Sequence, residues 1–418
     1  MGSKGWWFAL VALAVLAGMH WVLWRGFARA LPERRAWRIA LGGALVLLAA
    51  LVALNFGVAR RLGEAWPRGL ALGTWLWFAF VFYAVLGFGA LALVRGGRRL
   101  LAGRSLPDRS LTERSGTAAN GTDAARTDAP ESAPNPDRRA LLARTAAASV
   151  GIGSAVIVGA GFRRTLTEPE TPEIELPLAN LPRELVGLRV VQITDLHLAP
   201  LFGADECALT VERVNRLKPD LVVLTGDIVD APVHALRHAA APLAGLRARH
   251  GVLFVTGNHE YYCGAEEWLA EFRRLGMRTL VNERVSIGDA GASLDVVGLP
   301  DEWAGRHAEA IGPDVERALS GRDPQRALLA LVHRPKQARE VVRAGAGAAV
   351  CGHTHGGQMW PFHGLVHLVQ PYITGLQREG DGLVYVSRGA GFWGPPVRVL
   401  APPELPCFVL TRSATLRV

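Results

Sequence analysis

Three long apolar stretches open the chain, at residues 6–24, 38–58 and 69–94, and a weaker fourth, rich in Ala and Gly, follows at 138–162. Each of the first three is near or above the ~20 residues that cross a hydrocarbon core. Residues 1–102 are therefore predicted to be an all-α transmembrane unit. Tryptophans gather towards several of the ends, as interfacial anchors do. Residues 138–162 are predicted to be a fourth membrane helix. Arg138 and Arg139 ahead of it leave an internal twin-arginine-like signal anchor as the alternative. No small-residue cleavage site follows the first stretch, which argues against a cleaved signal peptide. Residues 103–137 are rich in Ser, Thr, Ala, Asp, Pro and Gly and have no apolar period. Such a segment cannot offset its ordering entropy and reads as a disordered linker.

From about residue 176 to the end at 418 the pattern changes to short apolar runs separated by helical stretches, as in α/β domains. The runs are "LRVVQIT", "DLVVLTG", "GVLFVTG", "LDVVGL", "ALLALVH", "GAAVCG", "GLVYVSRG" and "CFVLT". Several are apolar throughout and β-branched, the pattern of strands buried on both faces.

Composition sharpens this picture unevenly. Half of the residues are hydrophobic, with the excess before residue 165, and the net charge is +9, nearly all of it arginine. Much of that arginine falls in loops between apolar segments, a pattern that sets membrane topology and needs no nucleic acid. No nucleic-acid binding is expected. The first loop carries Arg25, Arg29, Arg34, Arg35 and Arg38, and the third carries nine arginines from Arg95 to Arg139. The second has only Arg60, Arg61 and Arg68. Loops one and three are thus predicted to be cytoplasmic, which puts everything after about residue 163 on the far side if all four segments cross. The cysteines, Cys207, Cys263, Cys351 and Cys407, lack CxxC spacing and read as small buried hydrophobes.

The chemistry lies where the strands end. The runs lead into Asp195-Leu196-His197, Gly226-Asp227-Ile228-Val229-Asp230, Gly257-Asn258-His259-Glu260, His333 and His353-Thr354-His355. Sites in α/β sheets form beyond the carboxyl ends of the strands. Imidazole and carboxylate together suit divalent Zn, Mn, Fe or Ni. D-x-H and H-x-H spacing would put each pair on one face of a strand ending, since i and i+2 point the same way. Gly352, Gly356 and Gly357 would let the backbone turn sharply and approach closely. Asp230 reads as a supporting rather than a ligating residue, and Glu260 as either an orienter of His259 or a helix cap. Trp360, Phe362, Phe392 and Trp393 are expected to pack in the core, with an apolar rim for a lipid substrate as the alternative. His363 and His367 are expected at the surface. Arg388 is open between a phosphate contact and pairing with an acid.

The ordered set "DLH", "GDIVD", "GNHE", "LVHRP" and "GHTH" resembles the calcineurin-like metallophosphoesterase superfamily over residues 185–411. "CGHTHGGQ" behind membrane segments is similar to its membrane-associated bacterial subgroup. The resemblance implies a four-layer α/β/β/α sandwich with two divalent metal ions. Asp195, His197 and His355 would hold one metal, and Asn258, His333 and His353 the other. Asp227 would bridge the two, and His259 would stabilise or protonate the leaving group. It implies a membrane-anchored hydrolase of phosphoesters, acting through a hydroxide activated by the two metals in the bacterial cytoplasmic membrane; the loop charges are what put its domain outside. A UDP-2,3-diacylglucosamine-type glycolipid pyrophosphatase, with a lipid-linked substrate, is the alternative. A non-catalytic membrane sensor with a phosphoesterase-like module is the alternative from another class.

Overall fold

A computed structural model describes residues 3–103, 136–289, 291–306 and 310–412. The predicted linker at 103–137 falls almost wholly outside the described residues. Helices α1 (Ser3–Ala28), α2 (Arg35–Leu62), α3 (Arg68–Gly103) and α4 (Pro136–Thr165) carry the apolar stretches. All four are long and apolar enough to cross a membrane.

The chain divides into two units, residues 1–50 with 80–156 and residues 51–79 with 157–418. Within the first, glycines admit large apolar neighbours. A Cβ on Gly26 would meet the Phe88 ring at 2.4 Å, and one on Gly87 would meet Val150 at 3.1 Å. Phe27 and Phe88 meet edge to face with centroids 5.2 Å apart. This is how membrane helices approach when burial of apolar surface gives little drive.

The second unit holds two six-stranded sheets. In chain order the strands are β1 (Glu173–Leu178), β2 (Arg189–Ile193), β3 (Leu221–Thr225), β4 (Val252–Val255), β5 (Arg278–Thr279) and β6 (Glu283–Asp289). They continue as β7 (Ala292–Gly298), β8 (Leu328–Leu331), β9 (Ala348–Cys351), β10 (Gly375–Glu379), β11 (Gly382–Val386) and β12 (Cys407–Arg412). One sheet runs β1-β12-β2-β3-β4-β5, the other β10-β11-β9-β8-β7-β6. Strands β2 to β5 are mutually parallel, as are β7, β8, β9 and β11.

Every apolar run forms a strand. The strands without such a run are β1, β5, β6 and β10, which are short or lie at sheet edges, where one side is solvated and the pattern is mixed. Pro177 in β1 is tolerated because an edge strand has a side with no ladder to donate to.

Three apolar clusters show the layering. The middle one joins Val190, Val223 and Leu253 of one sheet to Val296, Leu329 and Val350 of the other. A second packs the outer face of the first sheet under α5 (Ala204–Arg216), α6 (Val233–Ala240) and α8 (Ala265–Arg274). Here α7 is the short turn Asn258–Tyr262. The third cluster packs the other sheet under α9 (Val315–Leu319) and α10 (Pro335–Arg343). The domain is an α/β/β/α sandwich. The four cysteines are buried and free, as their apolar context implies.

The ends of three long helices belong to this unit. Glu64 pairs with His238 at 3.3 Å, Arg68 with Glu206 at 2.6 Å, and the Trp66 indole donates to Asn55 Oδ1 at 2.7 Å. At the end of α4, the Arg398 amide donates to the Gly161 carbonyl at 3.0 Å.

Candidate metal centre

The parallel strands of both sheets point their carboxyl ends at one place. Asp195 and His197 follow β2, Asp227 and Asp230 follow β3, and Asn258 to Glu260 follow β4. His333 follows β8, and His353 and His355 follow β9.

Strand alternation does not orient them, contrary to the pleat argument from spacing. The strands stop first, and Asp195, His197, Asp227, His353 and His355 all have φ between 51° and 73°. Non-glycine residues rarely occupy this left-handed region, and such strain collects where the surrounding structure enforces it. Repeated kinks turn the side chains inward from loops that the strands only deliver. In consequence His353 and His355 part company: His353 faces His333, and His355 faces His197. Gly352 and Gly257 are needed for closeness. A Cβ on Gly352 would lie 2.1 Å from Asp195 Oδ2, and one on Gly257 would lie 2.2 Å from Asp227 Oδ1.

Two clusters result, Asp195–His197–His355 and Asp227–His333–His353, each with ligand atoms within 4.8 Å of one another. In the first, His197 Nε2 is 3.0 Å from His355 Nε2, which is 3.4 Å from Asp195 Oδ1. In the second, His333 Nε2 is 3.1 Å from Asp227 Oδ2 and 3.2 Å from His353 Nδ1. Asp227 also reaches the first cluster, with Oδ2 3.9 Å from His197 Nε2. Asn258 is engaged elsewhere: its Oδ1 accepts from Arg334 at 2.9 Å, and Arg334 is itself paired with Asp301.

A third group supports the first two. Asp230 Oδ1 accepts from His197 Nδ1 at 2.8 Å and from His259 Nδ1 at 2.6 Å. Each ring is thereby turned so that its Nε2 faces Asp227, at 3.9 and 4.0 Å. His333 Nδ1 donates to the Thr225 carbonyl at 2.8 Å, which points its Nε2 inward too. Supporting acceptors of this kind fix tautomer and orientation for metal-binding imidazoles. Glu260 does not touch His259 side chain to side chain. Its buried carboxylate accepts the amides of Gly257 (2.6 Å), Ile228 (2.8 Å) and Asp227 (3.0 Å), tying α7 to the loop after β3.

The charges are unequal. Burial would raise the Asp227 carboxyl, but His333, His259 and His197 hold it well below the usual range. Burial, reinforced by Asp227, keeps Asp195 above its ordinary value despite His333. Burial pulls His333 down, yet Asp227 and Asp195 push it to about 10. His197 is likewise lifted to about 8, by Asp230, Asp227 and Asp195 acting against burial. His353 and His355 fall well below their ordinary value through burial, with His333 and Arg334 adding to the first and Arg398 and His197 to the second. Two buried carboxylates thus demand positive charge, and protonated His333 and His197 supply it. His353 and His355, held neutral, keep an unprotonated ring nitrogen of the kind a metal could use. A donor set of buried Asp and His that holds protons in this way fits divalent cations, which compete for those positions.

Several neighbours carried no signal in the sequence. Arg398 is 1% exposed and donates to the carbonyls of His355, Arg388, Gly389, Gly391 and Ala401. Nothing distinguishes it from other arginines until the loops fold round it. Arg388 pairs with Glu404 and Glu170, which answers the choice between acid and phosphate. His259 is framed by Tyr262 at 5.1 Å and Trp393 at 6.2 Å, and the Arg60 guanidinium lies 5.3 Å from the centre of the Tyr262 ring. Phe392 packs on the core, but Trp360, Phe362 and Trp393 are exposed, contrary to the packing expected of them.

Residues 188–357 match the family model for calcineurin-like phosphoesterases. An uncharacterized metallophosphoesterase of Helicobacter pylori (strain J99 / ATCC 700824) is 37% identical over 247 residues, covering 59% of this chain and 65% of its own. A transmembrane protein with metallophosphoesterase domain from Danio rerio is 34% identical over 268 residues, 62% of this chain and 61% of its own. An uncharacterized metallophosphoesterase of Bacillus subtilis (strain 168) is 32% identical over 265 residues, covering 60% of this chain and 90% of its own. The chain belongs to the calcineurin-like metallophosphoesterase family. It spans less than two thirds of the length of the Helicobacter pylori and Danio rerio relatives.

Proposed function

We propose that this chain is a membrane-anchored hydrolase of phosphoesters that uses two divalent metal ions. The observation that carries the reading is the pair of buried Asp/His clusters with Asp227 reaching both. Asp195, His197 and His355 would hold one ion, and His333, His353 and Asn258 the other, with Asp227 shared. Asn258 would have to release Arg334 or bind beside it. When bound, such ions polarise phosphoryl oxygens and activate water.

The remaining roles fall to the chain's own groups. Asp230 holds His259 Nδ1, so Nε2 carries the face that meets the leaving oxygen. A positioned acid there contributes typically about 10²–10⁴-fold. Tyr262 and Trp393 flank His259 and limit its access to water. Arg334 and Arg60 place positive charge nearby for an anionic substrate.

The helix ends support one orientation. A Cβ on Gly63 would be 2.4 Å from the Ala235 carbonyl, and Glu64 and Arg68 pair with His238 and Glu206. The junction between α2 and α3 and the phosphoesterase domain therefore share one side of the membrane. That requires α4 to cross. With arginine-rich first and third loops cytoplasmic, the domain lies outside the cytoplasm, which favours phosphoesters met there over a cytoplasmic UDP-lipid.

The test is turnover of an aryl phosphodiester by the full chain with Mn²⁺. Asp227→Ala and His355→Ala should abolish it, and His259→Ala should keep the metals while losing rate. Full activity in Asp227→Ala would refute the dimetal reading.

A further inference from the structure

Between Arg343 and Arg378 the chain has no Asp, Glu, Lys or Arg. The middle of this uncharged run leaves the metal centre at Gln358 and comes back at Ile373, whose carbonyl accepts from Thr354 Oγ1 at 2.6 Å. Between those points lies α11 (His363–Val366) with its flanking turns. Its apolar side chains face outward. Trp360 is 50% exposed, Leu365 58%, Leu368 78% and Val369 74%, and Leu400 beside them is 80% exposed. So many exposed large apolar side chains on one short loop mark a contact site.

What the loop is tied to says what covers it. The Trp360 amide donates to the Val399 carbonyl at 3.2 Å, and the Val399 amide to the Gln358 carbonyl at 2.8 Å. One residue earlier, the Arg398 amide donates to the carbonyl of Gly161, and Thr165 Oγ1 donates to the Pro396 carbonyl at 3.1 Å. Gly161 and Thr165 are in the last turns of α4, a helix long and apolar enough to cross a membrane. A Cβ on Gly161 would sit 2.6 Å from Val397, so the contact is close. On a second side, a Cβ on Gly394 would lie 3.2 Å from the Trp75 ring of α3. The loop is therefore fixed to the end of a membrane-crossing helix, the level at which aromatic residues partition into the bilayer interface. With no Asp, Glu, Lys or Arg, it brings no carboxylate, ammonium or guanidinium into that layer, and its exposed Leu, Val, Trp and Phe gain by leaving water.

We infer that residues 359–370, together with Leu400, are seated in the interfacial layer of the bilayer that the chain's own helices cross. The seat adjoins the metal centre. Gln358 bonds Trp393 through both its amide oxygen and its amide nitrogen, and the Trp393 ring is 6.2 Å from His259. The phosphoesterase site thus opens beside the lipid surface.

Spin labelling of the full chain tests this without reference to activity, so it can fail or succeed independently of the phosphoesterase reading. The native cysteines are all buried, which leaves an introduced surface cysteine as the labelled one. Labels at Leu365→Cys, Leu368→Cys and Val369→Cys would be compared with one at Leu209→Cys, an exposed leucine on α5. The protein is reconstituted in phosphatidylcholine–phosphatidylglycerol vesicles. Collision rates are measured with oxygen, which concentrates in lipid, and with a water-soluble nickel chelate. The expected result is an oxygen-to-nickel ratio several-fold higher at all three loop positions than at Leu209. A ratio equal to that at Leu209 would overturn the inference. So would low collision rates with both reagents, which would mean that protein, such as a second copy of the chain, covers the loop. Three separate positions guard against one variant failing to fold.

Discussion

At the scale of single residues, the site is made by left-handed backbone and close approach rather than by strand pleating. DxH, GDxxD, GNH and GHxH were legible because residue type and order survive any detail of conformation. The orientation of those residues was not, because it depends on kinks at Asp195, Asp227, His353 and His355 that no residue type announces. Gly352→Ala should therefore retain the fold and lose metal. Its Cβ has no room beside Asp195 Oδ2, and isothermal titration with Mn²⁺ on the purified variant would read the loss. Asp230→Asn removes the charge that pins two imidazoles. Loss of such a supporting carboxylate typically costs about 10–100-fold in metal affinity or activity. Rescue by Asp230→Glu would separate this role from simple misfolding.

The same residues give a pH dependence. With no metal bound, His333 is lifted to about 10 and His197 to about 8, so both carry protons at pH 7. Ligation needs the neutral ring, so metal binding at pH 7 should release about one to two protons. Affinity should weaken as pH falls, since the competing protons are held more firmly. Titrations in buffers of different ionisation enthalpy measure the number released. Zero release would contradict the assigned ligands.

At the scale of elements, the buried parallel strands were legible from unbroken apolar runs, and the edge strands β1, β6 and β10 were not. An edge strand has one solvated side and so no distinctive pattern. The joint between elements was also hidden. Of the two roles open to Glu260, the structure shows the cap: it accepts the amide of Gly257, the N-cap of α7, and it also takes the amides of Asp227 and Ile228, which fastens α7 to the turn after β3. Glu260→Gln offers a neutral amide with one acceptor oxygen in place of two. At least one buried N–H loses its partner, which costs about 1–3 kcal/mol. Denaturant unfolding should show that loss. Turnover should fall with it, because the same turn carries Asp227.

At the scale of the whole molecule, the proposed topology rests on loop arginines and apolar length, with the α2–α3 junction packed on the phosphoesterase domain. Glu64, Arg68 and Gly63 could not meet His238, Glu206 and Ala235 across a bilayer. The loop 359–370 departs from the core packing expected of its aromatic residues. Aromatic residues in segments flanking glycine loops are expected in the core, yet Trp360 and Phe362 are exposed. The proposed interfacial seat accounts for their exposure, since Trp360 bonds Val399 and the neighbouring Arg398 bonds Gly161 of α4. A C-terminal alkaline phosphatase fusion should be active in whole cells. An inactive reporter on a stable fusion would place the domain in the cytoplasm and overturn the orientation.

The central claim is a two-metal phosphoesterase. Its most direct test is metal content and turnover measured on the same sample, the full chain purified in detergent and loaded with Mn²⁺. The account predicts two ions per chain and steady hydrolysis of bis(p-nitrophenyl) phosphate, with both ions and turnover lost together in Asp227→Ala, the residue that reaches both clusters. A chain that binds two ions and turns over no phosphoester, or one whose Asp227→Ala variant keeps both ions and full rate, would contradict it.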